Sequence, residues 1–298
     1  MYVITGATGN TGTVAAKRLL AQGKKVRVIG RSADRLQPLA TAGAEPFVAE
    51  LSDAASLAKA FAGAEAVYVM IPPNPASTDP LADRERIADA LVSALKTSGV
   101  KHAVSLSSVG ADKPDKTGPV VGLHQLEEKL NLVPGLNTLH LRAGYFMENT
   151  LGQAGAIKMF GTTGGPLKPD LKLPFIATQD VGEAAAAALL KQDFTGHQTR
   201  ELLGQRDLSM AEIAAIIGKG IGKPGLGYMQ LPNMAVKPAF LQLGMSGAVA
   251  DLILEMSDAM NSGHMCALET RCAANTTSTS YEEFVAKVFV PAYQGKAA

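Results

Sequence analysis

Apolar positions along the chain alternate between short β-rich runs and stretches with helical spacing. Tyr2 to Thr5 is a β-rich run that ends at Gly6. From Thr11 to Gln22 the apolar residues Val14, Ala15, Leu19 and Leu20 fall on one helical face, and Gly23 is a natural stop. Val26 to Ile29 predicts a second strand and Pro46 to Ala49 a third, and Asp53 stands where it would cap a helix running to Phe61. Ala66 to Ile71 is apolar throughout, which suits a strand covered on both faces, and Pro72 and Pro73 end it. Next come a long helix from Leu81 to Ser98 closed by Gly99, a strand from His102 to Leu106, a helix from Leu123 to Leu132 and a strand from Thr138 to Leu141. Strand and helix in strict alternation predict an α/β fold with a doubly wound parallel sheet.

After residue 150 the rhythm loosens. Gly161 to Pro174 is rich in Gly and Pro and reads as a loop. Asp180 to Glu183 and Ser209 to Glu212 have the spacing of capping boxes that open helices. Arg200 to Leu203 and Tyr228 to Leu231 read as short strands, and Met234 to Met265 as mostly helical. With no internal repeat or low-complexity linker, the expected division is a nucleotide-binding domain over 1–150 and a smaller, mainly helical substrate region over 151–298, packed on it.

The bulk properties narrow the partners. Lys and Arg total 28 against 27 Asp and Glu, a net charge of +1, so no global field draws nucleic acid or an acidic membrane. The sequence has no helix-turn-helix with a basic recognition helix, no apolar run long enough to span a bilayer and no signal-peptide pattern at Met1. Cys266 and Cys272 lack short zinc or redox spacing and read as ordinary thiols in a reducing cytoplasm. No cluster has metal-ligand spacing.

The strongest chemical signal follows the first strand. Gly6, Gly9 and Gly12 sit in the run Gly6-Ala-Thr8-Gly9-Asn10-Thr11-Gly12. Gly6 permits a sharp turn, Gly9 leaves room for a pyrophosphate, and Gly12 lets the following helix approach the sheet. The helix N-terminus adds free N–H groups and a positive dipole end. This is a Rossmann-type dinucleotide turn. After the second strand an NAD site usually places Asp or Glu against the ribose 2′-hydroxyl. Here Arg31 and Ser32 stand there, with Arg35 a turn later. Guanidinium groups and a hydroxyl suit a 2′-phosphate, so the expected cofactor is NADP(H).

The glycine turn and Arg31 resemble those of the atypical short-chain dehydrogenase/reductases. Ser105 to Ala111, His124 to Lys129, and Leu141 to Asn149 narrow the resemblance to the NmrA-like group, which includes NAD(P)H:quinone oxidoreductases and triphenylmethane-dye reductases. It covers about the first 190 residues well and the remainder vaguely. The resemblance implies that Glu50 and Leu51 meet the adenine, where an Asp is common. It implies that Ile71, Pro72 and Pro73 run beside the nicotinamide ribose, and that Tyr145, Phe146, Met147 and Asn149 line the nicotinamide and acceptor pocket. Ordinary core packing is the competing reading of Tyr145, Phe146 and Met147.

The catalytic pair of many short-chain dehydrogenases is a Tyr with a Lys four positions on. None of the 6 tyrosines has it: the residues four positions on are Gly6, Pro72, Asn149, Pro232, Val285 and Ala297. In its approximate place stands His124, with Glu127 and Glu128 at helical spacing to orient and charge it as a proton donor. The competing reading is a surface His–Glu pair. His102 and His140 lie in strand runs and read as structural. An electron-poor acceptor takes hydride without a dedicated strong acid, so a good cofactor site can suffice. Met229, Met234, Met245, Met256 and Met260 offer a soft apolar acceptor pocket or plain core. Two functions are expected: an NADPH-dependent oxidoreductase acting on a small conjugated acceptor such as a quinone or dye, or a non-catalytic NADP(H)-binding redox sensor with a protein partner.

Overall fold

A computed structural model describes residues 1–296. The alternation takes the form β1 (Tyr2–Ile4), α1 (Asn10–Ala21), β2 (Val26–Gly30), α2 (Ala33–Thr41), β3 (Glu45–Val48), α3 (Ala54–Phe61), β4 (Ala66–Val69), α4 (Pro80–Ser98), β5 (His102–Ser108), α5 (Val121–Asn131) and β6 (Asn137–Ala143). The chain continues through β7 (Tyr145–Phe146), α6 (Gln153–Phe160), β8 (Thr163–Gly165), β9 (Leu173–Ile176), α7 (Thr178–Lys191), β10 (His197–Leu202), β11 (Asp207–Leu208), α8 (Met210–Gly220) and β12 (Tyr228–Gln230). It ends with α9 (Asn233–Gln242), α10 (Gly247–Ser262) and α11 (Tyr281–Phe284), which passes through a π turn (Val285–Phe289) into α12 (Val290–Tyr293).

Among the described residues the main sheet has seven strands in the order β3-β2-β1-β4-β5-β6-β10, all parallel. Its two faces are covered separately. On one, Ala15 and Leu19 of α1, Leu36 and Leu39 of α2, and Val181, Ala185 and Leu189 of α7 form one buried cluster. On the other, Leu57 and Phe61 of α3, Leu91 and Leu95 of α4, and Leu126 and Leu130 of α5 form a second. Burying side chains on both faces is what makes the short, fully buried β4 stable as a central strand. No helix among the described residues is long and apolar enough to cross a membrane.

Beyond residue 150 the chain returns to the sheet: α7 packs on α1, and β10 pairs with β6 along its whole length. The main sheet therefore draws on both sides of the 1–150 division. A third cluster, with Phe175, Ile213, Tyr281 and Phe289, is the core of the remainder. The run from Gly161 to Pro174 is not all loop. β8 pairs with β12, and β9 pairs with β7 and β11, partners that local composition does not reveal. The capping box at Ser209 and Glu212 forms, with both reciprocal bonds present. The one expected at Asp180 does not. Helix α7 starts earlier, at Thr178, whose N–H and hydroxyl donate to Glu148. Asp180 instead accepts from the N–H and hydroxyl of Thr279 and so ties down the C-terminal segment.

Candidate functional site

The strand order reverses between β1 and β4, and the site grows from the C-terminal edge of the sheet at that point. Thr5 ties the two strand ends together. Its hydroxyl donates to the Tyr68 carbonyl and accepts from the Met70 N–H, both at 3.0 Å. The chain then turns through Gly6, at φ +59°, and the Gly9 N–H closes the turn on the Gly6 carbonyl at 2.9 Å. A Cβ at Gly12 would lie 2.5 Å from that same carbonyl oxygen, so only glycine lets α1 begin this close to the turn. No side chain caps α1 at Gly9, and the N–H groups of its first turn have no partner within the helix.

A groove of about 650 Å³ passes this turn. Gly6, Thr8 and Gly9 line it, as do Arg31, Ser32 and Arg35 beyond β2, Glu50 and Leu51 beyond β3, and Ile71, Pro72 and Pro73 beyond β4. Arg31 and Arg35 are exposed, and neither forms an ion pair among the described residues. The Ser32 hydroxyl caps α2 by accepting from the Arg35 N–H. Three of the expected cofactor residues in the glycine run do not line the groove. Asn10 is exposed at the start of α1, Thr11 is buried and accepts from the Tyr68 hydroxyl at 3.0 Å, and Gly12 lies beneath the turn.

A second cavity, of about 580 Å³, meets the groove. Met70, Ile71, Pro73, Arg84 and Pro119 line both. Its further walls come from Leu106 to Val109 at the end of β5, from Tyr145, Phe146 and Asn149, and from Met256 and Met260 of α10. Burial pushes the Tyr145 phenol up to about 12, so it stays protonated, and its hydroxyl has no hydrogen-bond partner among the described residues. Met147 departs from the expectation. Where β7 gives way to a tight helical turn, its side chain enters the C-terminal core, 1% exposed. The methionines divide as well: Met245 lines the groove, while Met229 and Met234 are exposed.

His124 lines neither the groove nor the cavity. It donates from Nδ1 to the Ala111 carbonyl at 2.9 Å. The expected carboxylate beside it is committed elsewhere. Glu127 is buried and accepts from Arg142 through both oxygens, at 3.0 and 2.6 Å, and also from the Ser107 hydroxyl. A bidentate guanidinium outcompetes a single imidazole for the same carboxylate. Glu128 is exposed. His140 is structural: burial pulls it down to about 4, and the neutral ring accepts from Ser105 and donates to Asn131.

Sequence reasoning missed Arg84, Pro119 and the residues after Ser105 as cavity walls. Arg84 carried no local signal, being one charge among several on an amphipathic helix.

A family model described as the NmrA-like family matches residues 2–285. The chain is 28% identical over 260 residues to an NAD(P)H azoreductase of Xenophilus azovorans, covering 86% of each chain. It is 30% identical over 265 residues, 88% of each chain, to a (4-alkanoyl-5-oxo-2,5-dihydrofuran-3-yl)methyl phosphate reductase of Streptomyces griseus. Its fold is similar to that of an NADPH-dependent quinone oxidoreductase of Escherichia coli solved with NADPH, at a TM-score of 0.76 and 23% identity, over 97% of this chain and 100% of that one. The chain therefore belongs to the NmrA-like family, on a fold it shares with an NADPH-dependent reductase.

Proposed function

We propose that the protein is an NADPH-dependent reductase that delivers hydride to a flat, conjugated organic acceptor such as a quinone, an azo compound or a dye. The observation that carries this reading is the meeting of a groove that holds the glycine turn, Arg31 and Arg35 with a mostly apolar cavity across Met70, Ile71 and Pro73. The groove suits a phosphorylated dinucleotide. A glycine turn at a helix N-terminus would hold the diphosphate, and the unpaired Arg31 and Arg35 the 2′-phosphate. When bound, NADPH supplies a hydride, and one solvent proton completes the reduction of a quinone to its hydroquinone.

The chain's own part is to bind, orient and exclude water. Pro72 and Pro73 give a rigid wall beside the junction, and Tyr145, Phe146, Met256 and Met260 give the acceptor cavity adaptable apolar faces. The Tyr145 hydroxyl can donate a hydrogen bond to an acceptor carbonyl, but with a pKa near 12 it is a poor proton donor. Catalysis then comes from position rather than from a strong acid. In this division of labour, residues 1–150 supply the glycine turn and the cations of the groove, Met245 and α10 help to close it, and residues beyond 150 complete the acceptor cavity. The relatives named for azo and furanone reduction are consistent with an electron-poor acceptor.

The test is NADPH oxidation followed with menadione, an azo dye and a triarylmethane dye. Turnover on at least one is expected. Tight NADPH binding with no turnover on any would make the protein a cofactor sensor instead.

A further inference from the structure

Arg84, Lys172 and Asp207 are the charged side chains that line the acceptor cavity. Lys172 is neutralised by Glu212, and Asp207 by Arg271. Arg84 has no ion pair and no side-chain hydrogen bond among the described residues. The carboxylates around it on α4 are already engaged: Asp83 accepts from Ser77 and pairs with Arg86, while Glu85 and Asp89 both hold Lys129. Glu255 of α10 accepts from the Gly118 N–H. Burial draws the Arg84 guanidinium below its ordinary pKa, the direction expected of a cation stripped of water without a counter-charge.

The position is built. A Cβ at Gly122 of α5 would come within 2.7 Å of Arg84 Cδ, so α5 carries glycine where the arginine stem passes. The stem thus lies against α5, beside Pro119, Val120 and Leu123, of which Val120 and Leu123 line only the acceptor cavity. The charges of a bound dinucleotide have other partners in the glycine turn and in Arg31 and Arg35.

We propose that Arg84 anchors an acidic group (carboxylate, sulfonate or phosphate) carried by the acceptor, so that the enzyme selects anionic conjugated acceptors over neutral ones of similar ring size. The planar fork of a guanidinium matches the oxygens of such groups, and the apolar surroundings strengthen the contact. The inference rests on the reductase reading above, so its test includes a binding arm that needs no turnover.

Arg84→Met keeps the stem against Gly122 and removes the charge, and Arg84→Lys keeps a charge without the fork. Two acceptors, 1,4-naphthoquinone-2-sulfonate and the neutral menadione, are compared in kcat/KM. Naphthalene-2-sulfonate, which cannot be reduced by hydride here, is titrated calorimetrically into protein saturated with NADP+. NADPH affinity is measured for each variant. For Arg84→Met the expected result is a loss in kcat/KM about tenfold or more greater for the sulfonated quinone than for menadione, with a similar loss in naphthalene sulfonate affinity that exceeds any change in NADPH affinity. Arg84→Lys should recover part of both losses. Equal losses on the two quinones, a matching fall in NADPH affinity, or unchanged naphthalene sulfonate binding would each overturn the anchor. Arg84-dependent sulfonate binding without turnover on either quinone would uphold the anchor and overturn the reductase reading.

Discussion

The groove at the glycine turn and the cavity beside it share a wall but are assembled on opposite principles. The groove takes its chemistry from segments that each directly follow a strand: the glycine turn after β1, Arg31 to Arg35 after β2, Glu50 and Leu51 after β3, and Pro72 and Pro73 after β4. Backbone N–H groups and exposed cations there are available as the chain folds locally. The cavity gathers Tyr145, Leu173, Met256 and Met265 from distant parts of the chain, and its surface is mostly apolar with one cation, Arg84, that has no ion pair among the described residues. The groove's polar groups thus come from the strand ends of the parallel sheet, whereas the cavity also needs the second half of the chain packed upon them.

The sharpest break between the two regions should come at the turn. Gly9→Val puts branched carbons where a Cβ already meets the Gly6 carbonyl oxygen at 3.3 Å, at the lip of the groove. NADPH binding should disappear in calorimetry, with circular dichroism showing a folded chain. Next in size is Glu127→Ala, which leaves the half-buried Arg142 without its bidentate partner. Removing one member of a buried pair costs about 3–5 kcal/mol, and urea denaturation should show a loss of that order. NADPH affinity in the fraction still folded should be preserved, since Glu127 supports the Ser107 wall and not the groove.

A smaller effect is expected from the paired change Arg31→Ala and Arg35→Ala. Charge-assisted contacts are worth about 1.5–3 kcal/mol each, less at exposed positions such as these. The double variant should lose most of the preference for NADPH over NADH in a competitive titration while acceptor KM stays unchanged. Equal affinity of the unaltered protein for both cofactors would remove the 2′-phosphate role. The smallest effect should be that of His124→Ala. General acid catalysis contributes roughly 10²–10⁴-fold, and a residue outside the cavity and engaged with Ala111 should change quinone turnover by about threefold at most, with an unchanged pH profile.

The same contrast explains what was legible beforehand. Alternating apolar runs, Asp53 as a cap and Gly99 as a stop were readable because each acts within a few residues, and they appear in the structure as read. The glycine turn was legible for the same reason, as was the place of Arg31 directly after β2. Helix α2 went unread, since Pro38 interrupts it and only Leu36 and Leu39 are buried. Met147 could not be separated from Tyr145 and Phe146 by pattern, because the change from strand to tight turn after Phe146 decides which way it points. The partner of Glu127 was equally hidden: helical spacing offered His124, but Arg142 arrives from β6 and binds with two hydrogen bonds. Arg84 becomes distinctive only when the pairing of every neighbouring carboxylate is known.

The central claim is that the groove and the cavity hold cofactor and acceptor face to face for hydride transfer. It is tested most directly by isotope transfer to a triarylmethane dye, whose central carbon retains the hydride it receives. The dye is reduced with NADPH carrying deuterium on one or the other face of the nicotinamide C4, and the product is analysed by mass spectrometry. The predicted result is full deuterium incorporation from one face and none from the other, because walls fixed on both sides of the junction permit a single orientation. Reduced dye without deuterium from either face, or with deuterium from both, would contradict the account.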